Sequence, residues 1–189
     1  EQVAALRVVP NLVTIRPAGA NETVQAWRLA LERKEGPVAL ILSRQKLPVL
    51  DQSKFPSAEN VKKGAYVLKD TEGELQLILI ATGSEVSLAL AAQEQLGKDG
   101  IASRVVSMPS WELFEEQDAA YKESVLPKKL VKRMSIEALT PFGWDKYVGT
   151  AGKVLGLNRY GESGPGEEVL KELGFSVENV VAEAKKLIG

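Results

Sequence analysis

Apolar positions along the chain switch repeatedly between continuous runs and helical spacing, the pattern of a protein that alternates strands with helices. Residues 1–7 have the look of a helix tail, and 12–16 form a short β-rich run that Pro17 stops. After Gly19 the spacing predicts a helix over 22–33. Its apolar face carries Val24, Trp27 and Leu31, with Ala26 and Ala30, at three- and four-residue intervals. Asn21 reads as its N-cap. Gly36-Pro37 ends that helix. Residues 38–43 (VALILS) then run apolar without interruption, as a strand covered on both faces would.

From 48 to 63 the chain turns polar, with Pro48 and Pro56 among Asp, Gln, Ser and Asn, and reads as a linker crossing between domains. Beyond it, 65–69 and 75–81 are strand-like around a polar turn at Gly73, which predicts a hairpin. Thr82 to Glu85 spells a T-x-x-E capping box opening a helix that runs to about 96. Strands are predicted at 103–107, 131–137 and 153–158. An acidic helical stretch holds Glu112, Glu115, Glu116 and Asp118, and the last helices fall at 166–173 and 177–188.

The expected fold class is α/β: a mostly parallel five-stranded sheet with one antiparallel edge strand and helices on both faces, preceded by a partial α/β domain. The expected division is 1–48, a linker at 49–60, and 61–189. Forty-eight residues with two strands are too few for a free-standing α/β domain, so the first part is expected to end a domain begun upstream or to be completed by a partner. The chain opens on Glu1 rather than Met, which fits a piece of a longer protein.

Composition narrows the chemistry more than the class. Among 189 residues there is no histidine and no cysteine. Ser-His-Asp and Cys-His nucleophiles, thiolate redox work and the usual zinc ligand sets are therefore outside this chain's reach. Disulfides are impossible, which fits a reducing compartment. The net charge of −1 lacks the basic excess of a nucleic-acid binder. No apolar run reaches the ~18 residues of a membrane span, and the N-terminus lacks a signal-peptide pattern, so a cytoplasmic protein is expected. Charge does divide along the chain: 1–48 carries 7 basic and 4 acidic residues (+3), and 49–189 carries 17 and 21 (−4).

The strongest chemical candidate is Ser43-Arg44-Gln45-Lys46-Leu47-Pro48. It directly follows a predicted buried strand, at the carboxyl end where open α/β sheets bind ligands. Arg44 and Lys46 fall on one side of an extended segment. A guanidinium there suits bidentate capture of a phosphate or carboxylate; a structural ion pair at a domain edge is the competing reading. Ala81-Thr82-Gly83-Ser84-Glu85 has one glycine and an acidic first turn, and reads as a plain capped helix rather than an anion site. Gly161 to Gly166 lacks the G-K-[ST] of a P-loop and carries Glu162, with Glu167 and Glu168 just after, so a helix start behind Pro165 is expected. Phe142 to Tyr147 is aromatic enough to stack a ligand, though such residues more often pack.

The combination of LSRQKLP (42–48), IATGSEV (80–86), VVSMPS (105–110), YKESVLP (121–127), KYVG (146–149) and GFSVENVV (174–181) resembles the transketolases of bacterial type. The resemblance runs essentially end to end. It implies that 1–48 ends a pyrimidine-binding middle domain and that 61–189 is the family's C-terminal domain. The parent it implies is a cytoplasmic homodimer that uses thiamine diphosphate and Mg or Ca to move a two-carbon ketol unit between phosphorylated ketoses and aldoses, in the pentose phosphate pathway. It also implies that Arg44, in the S-R-Q motif, contacts the substrate's phosphate. No catalytic, cofactor-binding or metal-ligating residue carries over, and this chain alone is expected to be inactive with nothing bound. One departure is Arg16-Pro17-Ala18-Gly19, where the family pattern has Asp in the glycine's place. Competing readings are a stand-alone interaction or regulatory module that kept the fold, and a fragment of a related thiamine enzyme such as dihydroxyacetone synthase or a 2-oxo-acid dehydrogenase subunit.

Overall fold

A computed structural model describes all residues 1–189. The chain folds as α1 (Gln2–Arg7), β1 (Val13–Ile15), α2 (Ala20–Glu32), β2 (Val38–Leu40), a 3₁₀ turn (Ala58–Lys63), β3 (Tyr66–Lys69), β4 (Leu77–Ala81), α3 (Glu85–Lys98), β5 (Ser103–Ser107), α4 (Trp111–Glu115), α5 (Ala119–Val125), β6 (Arg133–Ile136), α6 (Asp145–Val148), β7 (Lys153–Leu155), α7 (Gly166–Glu172) and α8 (Val177–Ile188). β1 and β2 form a two-stranded parallel sheet. The other five make a sheet ordered β3-β5-β4-β6-β7, parallel except for the antiparallel β3–β5 pair at its edge. The α/β class and the single antiparallel pair are as the sequence predicts.

β4 is the centre of the larger sheet, and all five of its residues are buried. Leu77, Leu79 and Ala81 face a core shared with α3 and α8, including Val86, Ala89, Val180 and Ala184. Ile78 and Ile80 face a second core with Phe114, Val125, Trp144 and Tyr147. Alternate side chains of a strand point to opposite faces, so a run apolar at every position is what a strand covered on both sides requires. The first core also takes in Val13, Ile15, Ala18 and Ala26, which makes the N-terminal segment continuous with the larger sheet.

Four local expectations are corrected. The strands at 65–69 and 75–81 exist but do not form a hairpin, because β5 lies between them. Sequence proximity around Gly73 could not reveal that a later strand inserts. The predicted apolar face of α2 is exposed: Val24 is 64% accessible, Trp27 52% and Leu31 79%. The helix instead buries Glu22 and Ala26. Asn21 is not the N-cap; Gly19 is, and Asn21 Nδ2 donates to Leu50 O at 2.7 Å. The strand at 38–43 covers only Val38–Leu40 and is half-buried, since no further strand lies beyond it.

Gly19 stands where a side chain would be cramped, its ideal Cβ lying 3.0 Å from Pro48 O. The entry to α2 is held by Glu22, which reaches back to accept from Ala18 N at 2.8 Å.

Candidate functional site

Chain order decides where a ligand crevice forms in the larger sheet. β4 leads through α3 to β5 on one side, and the chain then crosses to place β6 on the other side of β4. The strand order therefore reverses between β4 and β6, and the crevice outside their carboxyl ends is where open α/β sheets bind ligands. Here that crevice opens at Thr82-Gly83-Ser84-Glu85 and at Glu137-Ala138.

It is filled by two arginines of the N-terminal segment. Arg16, one residue beyond β1, sends Nη1 to Thr82 O at 2.7 Å, Thr82 Oγ1 at 2.7 Å and Glu85 Oε2 at 2.6 Å. Arg7, the last residue of α1, grips Glu137 with two parallel bonds of 2.9 and 2.7 Å and lies 3.9 Å above the Trp111 ring. Thr82 joins the halves: it accepts from Arg16 and donates to Glu137 Oε1 at 2.6 Å. Trp144 Nε1 also donates to Glu137, and Ala138 N to Glu85. The result is two guanidinium and two carboxylate groups, balanced in charge, with their side chains largely buried.

The T-x-x-E capping box is thus corrected. Thr82 and Glu85 do not cap α3, whose N-cap is Ser84 without a side-chain bond. Gly83 has φ +53°, and a Cβ there would sit 2.6 Å from the Arg16 guanidinium carbon. The glycine clears space for an arginine. For Glu137, burial is the largest single influence and opposes ionisation, but Arg7, Arg16 and Thr82 together hold its carboxyl below the ordinary value of 4.5.

A third buried carboxylate lies at the same junction, this one without a cation. Glu22 accepts from Tyr66 OH and Ser107 Oγ, both at 2.7 Å, and from Ala18 N. Burial outweighs these three donors and raises its carboxyl above 4.5. Tyr66 is pushed up as well, by burial and then by the Glu22 charge. Two further contacts tie the segment to α4: Glu112 accepts from Thr14 N at 3.3 Å, and Arg33 pairs with Glu116 at 2.9 Å.

Arg44 and Lys46 lie in a bend beyond β2, both exposed. Since Ile41 N donates to Ile15 O at 2.8 Å, the carboxyl ends of β1 and β2 stay together, and Arg44 follows three residues beyond that pairing. Within this chain Arg44 pairs with no carboxylate. Ser43 and Gln45, on either side of it, line a shallow cleft of about 280 Å³. Gln45 lies near Gly166, so the Arg44 bend and the glycine-rich loop meet in space. That loop does end in a helix start behind Pro165, and Glu162 pairs with Arg159. Of the aromatic stretch, Trp144 and Tyr147 are buried in edge-on stacks with Trp111, and Phe142 is exposed.

No three acidic or other metal-ligating side chains converge. The cavity between Tyr66, Phe55 and Pro48 has about 20 Å³, room for a single water and far too little for a heterocycle.

Residues 64–176 match the family model "Transketolase-like TK C-terminal domain", and residues 1–49 match "Transketolase, pyrimidine binding domain". A transketolase of Halalkalibacterium halodurans is 53% identical over 188 residues, covering all of this chain and 28% of the relative. The chain thus spans little more than a quarter of the curated relatives it matches. The solved transketolase of Leishmania mexicana superposes with a TM-score of 0.91 at 41% identity, over 100% of this chain and 27% of that one. A Pichia stipitis transketolase in complex with sedoheptulose-7-phosphate gives 0.90 at 40% identity, over 98% and 26%.

Proposed function

Because the chain belongs to the transketolase family, of which it is a C-terminal portion, we propose that it serves an enzyme moving two-carbon ketol units between sugar phosphates, and that Arg44 anchors the substrate's phosphate. In this reading residues 1–48 close the pyrimidine-binding domain, 49–60 link, and 61–189 form the C-terminal domain. The whole enzyme is a cytoplasmic homodimer using thiamine diphosphate and Mg or Ca. The cofactor and metal are held by parts of the enzyme outside this chain, whose own side chains form no metal-ligating cluster. The reading is supported by one observation above others: Arg44 is an exposed guanidinium, without an internal carboxylate, at the shared carboxyl edge of two parallel strands. A planar fork there meets a phosphate through two parallel charge-assisted bonds, which fixes the donor's far end without touching the reacting carbonyl. The sedoheptulose-7-phosphate bound by the Pichia stipitis relative has such a group.

Steady-state kinetics of the intact enzyme test this. Arg44→Ala is expected to raise KM for phosphorylated donors about 10- to 100-fold, the worth of a charge-assisted bond, and to leave unphosphorylated donors nearly unchanged. An equal loss for both removes the role. The isolated chain with thiamine diphosphate and Mg²⁺ is expected to show no ketol transfer, and turnover by it would overturn the reading.

A further inference from the structure

The Thr82–Glu85 turn has the makings of a binding site in its own right. It offers three acceptors converging on one point: a main-chain carbonyl, a hydroxyl and a buried carboxylate. A glycine with φ +53° opens the floor, and a Cβ would close it. Glu85 is fixed from behind, since Ala138 N donates to the same oxygen that Arg16 reaches and Ser84 Oγ donates to the other. The crevice lies at the reversal of strand order, where sheets of this kind receive ligands. Acceptors without donors facing them specify a cation. All three meet one nitrogen, Nη1, while Nη2 reaches Ser84 Oγ at 3.4 Å and the guanidinium passes over Gly83, its Cζ, Nη1 and Nε all within 2.9 Å of where a Cβ would sit, which favours a planar group over a spherical ion.

We infer that Thr82-Gly83-Ser84-Glu85 is a guanidinium-binding site whose resident ligand is the chain's own Arg16, so that the sheet's ligand crevice is used to clamp the N-terminal segment. The site stands independently of the role given to Arg44. It explains why Arg16 is stitched on its main chain as well: its N donates to Pro109 O at 2.8 Å and its carbonyl accepts from Gly83 N at 3.1 Å. Receptor and ligand come from segments 66 residues apart in sequence, so occupancy of this site couples the β1–β2 sheet to β4.

Chemical rescue tests the inference on the chain as it stands. Arg16→Ala lowers the thermal midpoint. Guanidinium chloride at ~10 mM should raise the variant's midpoint by about 3 °C or more over equal NaCl, as a ligand near ten times its Kd would. Wild type, with the site filled, should not respond, nor should Arg16→Ala/Glu85→Ala. Methylammonium chloride should rescue less than guanidinium. In that variant the amides of Ile41 and of position 16 should regain hydrogen-exchange protection with the added cation. Absence of rescue, or equal rescue by methylammonium, overturns the inference. Should Arg16→Ala be unfolded, guanidinium-dependent refolding by circular dichroism carries the same test. Arg16→Lys gives a second: it should stay clearly below wild type, because a single nitrogen can meet the three acceptors but neither reaches Ser84 Oγ as well nor covers Gly83 as a planar group does, and a midpoint equal to wild type refutes a site shaped for a guanidinium.

Discussion

Glu137 and Glu22 are both buried where the N-terminal segment meets the larger sheet, yet their surroundings push them in opposite directions. Glu137 faces Arg7 directly and Arg16 through Thr82, and its carboxyl is held low. Glu22 has three hydrogen-bond donors but no cation, and its carboxyl is raised. The difference shows that hydrogen bonds alone do not offset the desolvation of a carboxylate, whereas a matched charge with good geometry does. One junction therefore contains a charge-balanced clamp that strengthens on ionisation and a lone carboxylate that weakens on ionisation.

Glu137→Gln should have the largest effect, because it leaves Arg7 buried without a charge partner. A loss of about 3–5 kcal/mol at pH 7 by urea unfolding is expected. The folded carboxyl is depressed, so its contribution is present above 4.5 and lost as pH falls through the folded value. The gap between variant and wild type should narrow below pH 4.5. A constant gap would show that the residue acts by packing rather than charge.

Gly83→Ala comes next. It leaves every charged group in place but puts a Cβ 2.6 Å from the Arg16 guanidinium, at a φ that L-residues rarely adopt. A cost of about 2 kcal/mol is expected. If unfolding is unaffected, the guanidinium has room to spare and the clamp is looser than described.

Glu22→Gln sharpens the other side. Its amide can accept from Ala18 N and donate to the Tyr66 and Ser107 hydroxyls, which can rotate to receive it. A raised carboxyl contributes most below 4.5 and loses that contribution as pH rises through its folded value. The variant should match wild type near pH 4 and exceed it at pH 8 by about 1 kcal/mol. Falling below wild type at pH 8 would mean that the ionised form is favoured after all.

Trp27→Ser should do least. On the helical pattern alone Trp27 is a core residue whose loss would cost about 3–5 kcal/mol. On the structure it is half-exposed, and a change within about 0.5 kcal/mol is expected for the isolated chain.

Trp27 also shows where the sequence misleads. Periodicity located α2 within two residues, but it reports that a face is apolar and not what covers it. The same limit holds for strands: the apolar run at 38–43 predicts cover on both faces and β2 is only half-buried, whereas the run in β4 is buried at every position. Arg44 is singled out by its place after an apolar run, and its role remains the proposal made above. Arg7, Arg16, Glu22 and Glu137 were passed over, although Arg16 and Glu137 also end apolar runs (VTIR and MSIE). Their partners lie 66 and 130 residues away, and spacing within a window carries no trace of such pairs. The capping-box reading of Thr82 and Glu85 failed for the same reason: local bonds were assumed where distant arginines compete more strongly.

The central claim is that buried charge makes the two-stranded segment and the five-stranded sheet one cooperative unit. Native-state hydrogen exchange of the isolated chain at pH 7 tests it most directly. Opening free energies for the Ile41 and Arg16 amides should match those of β4 amides such as Ile78 and Ile80, because the segment unfolds only with the whole. Fast exchange confined to 1–48, with β4 still protected, would contradict it.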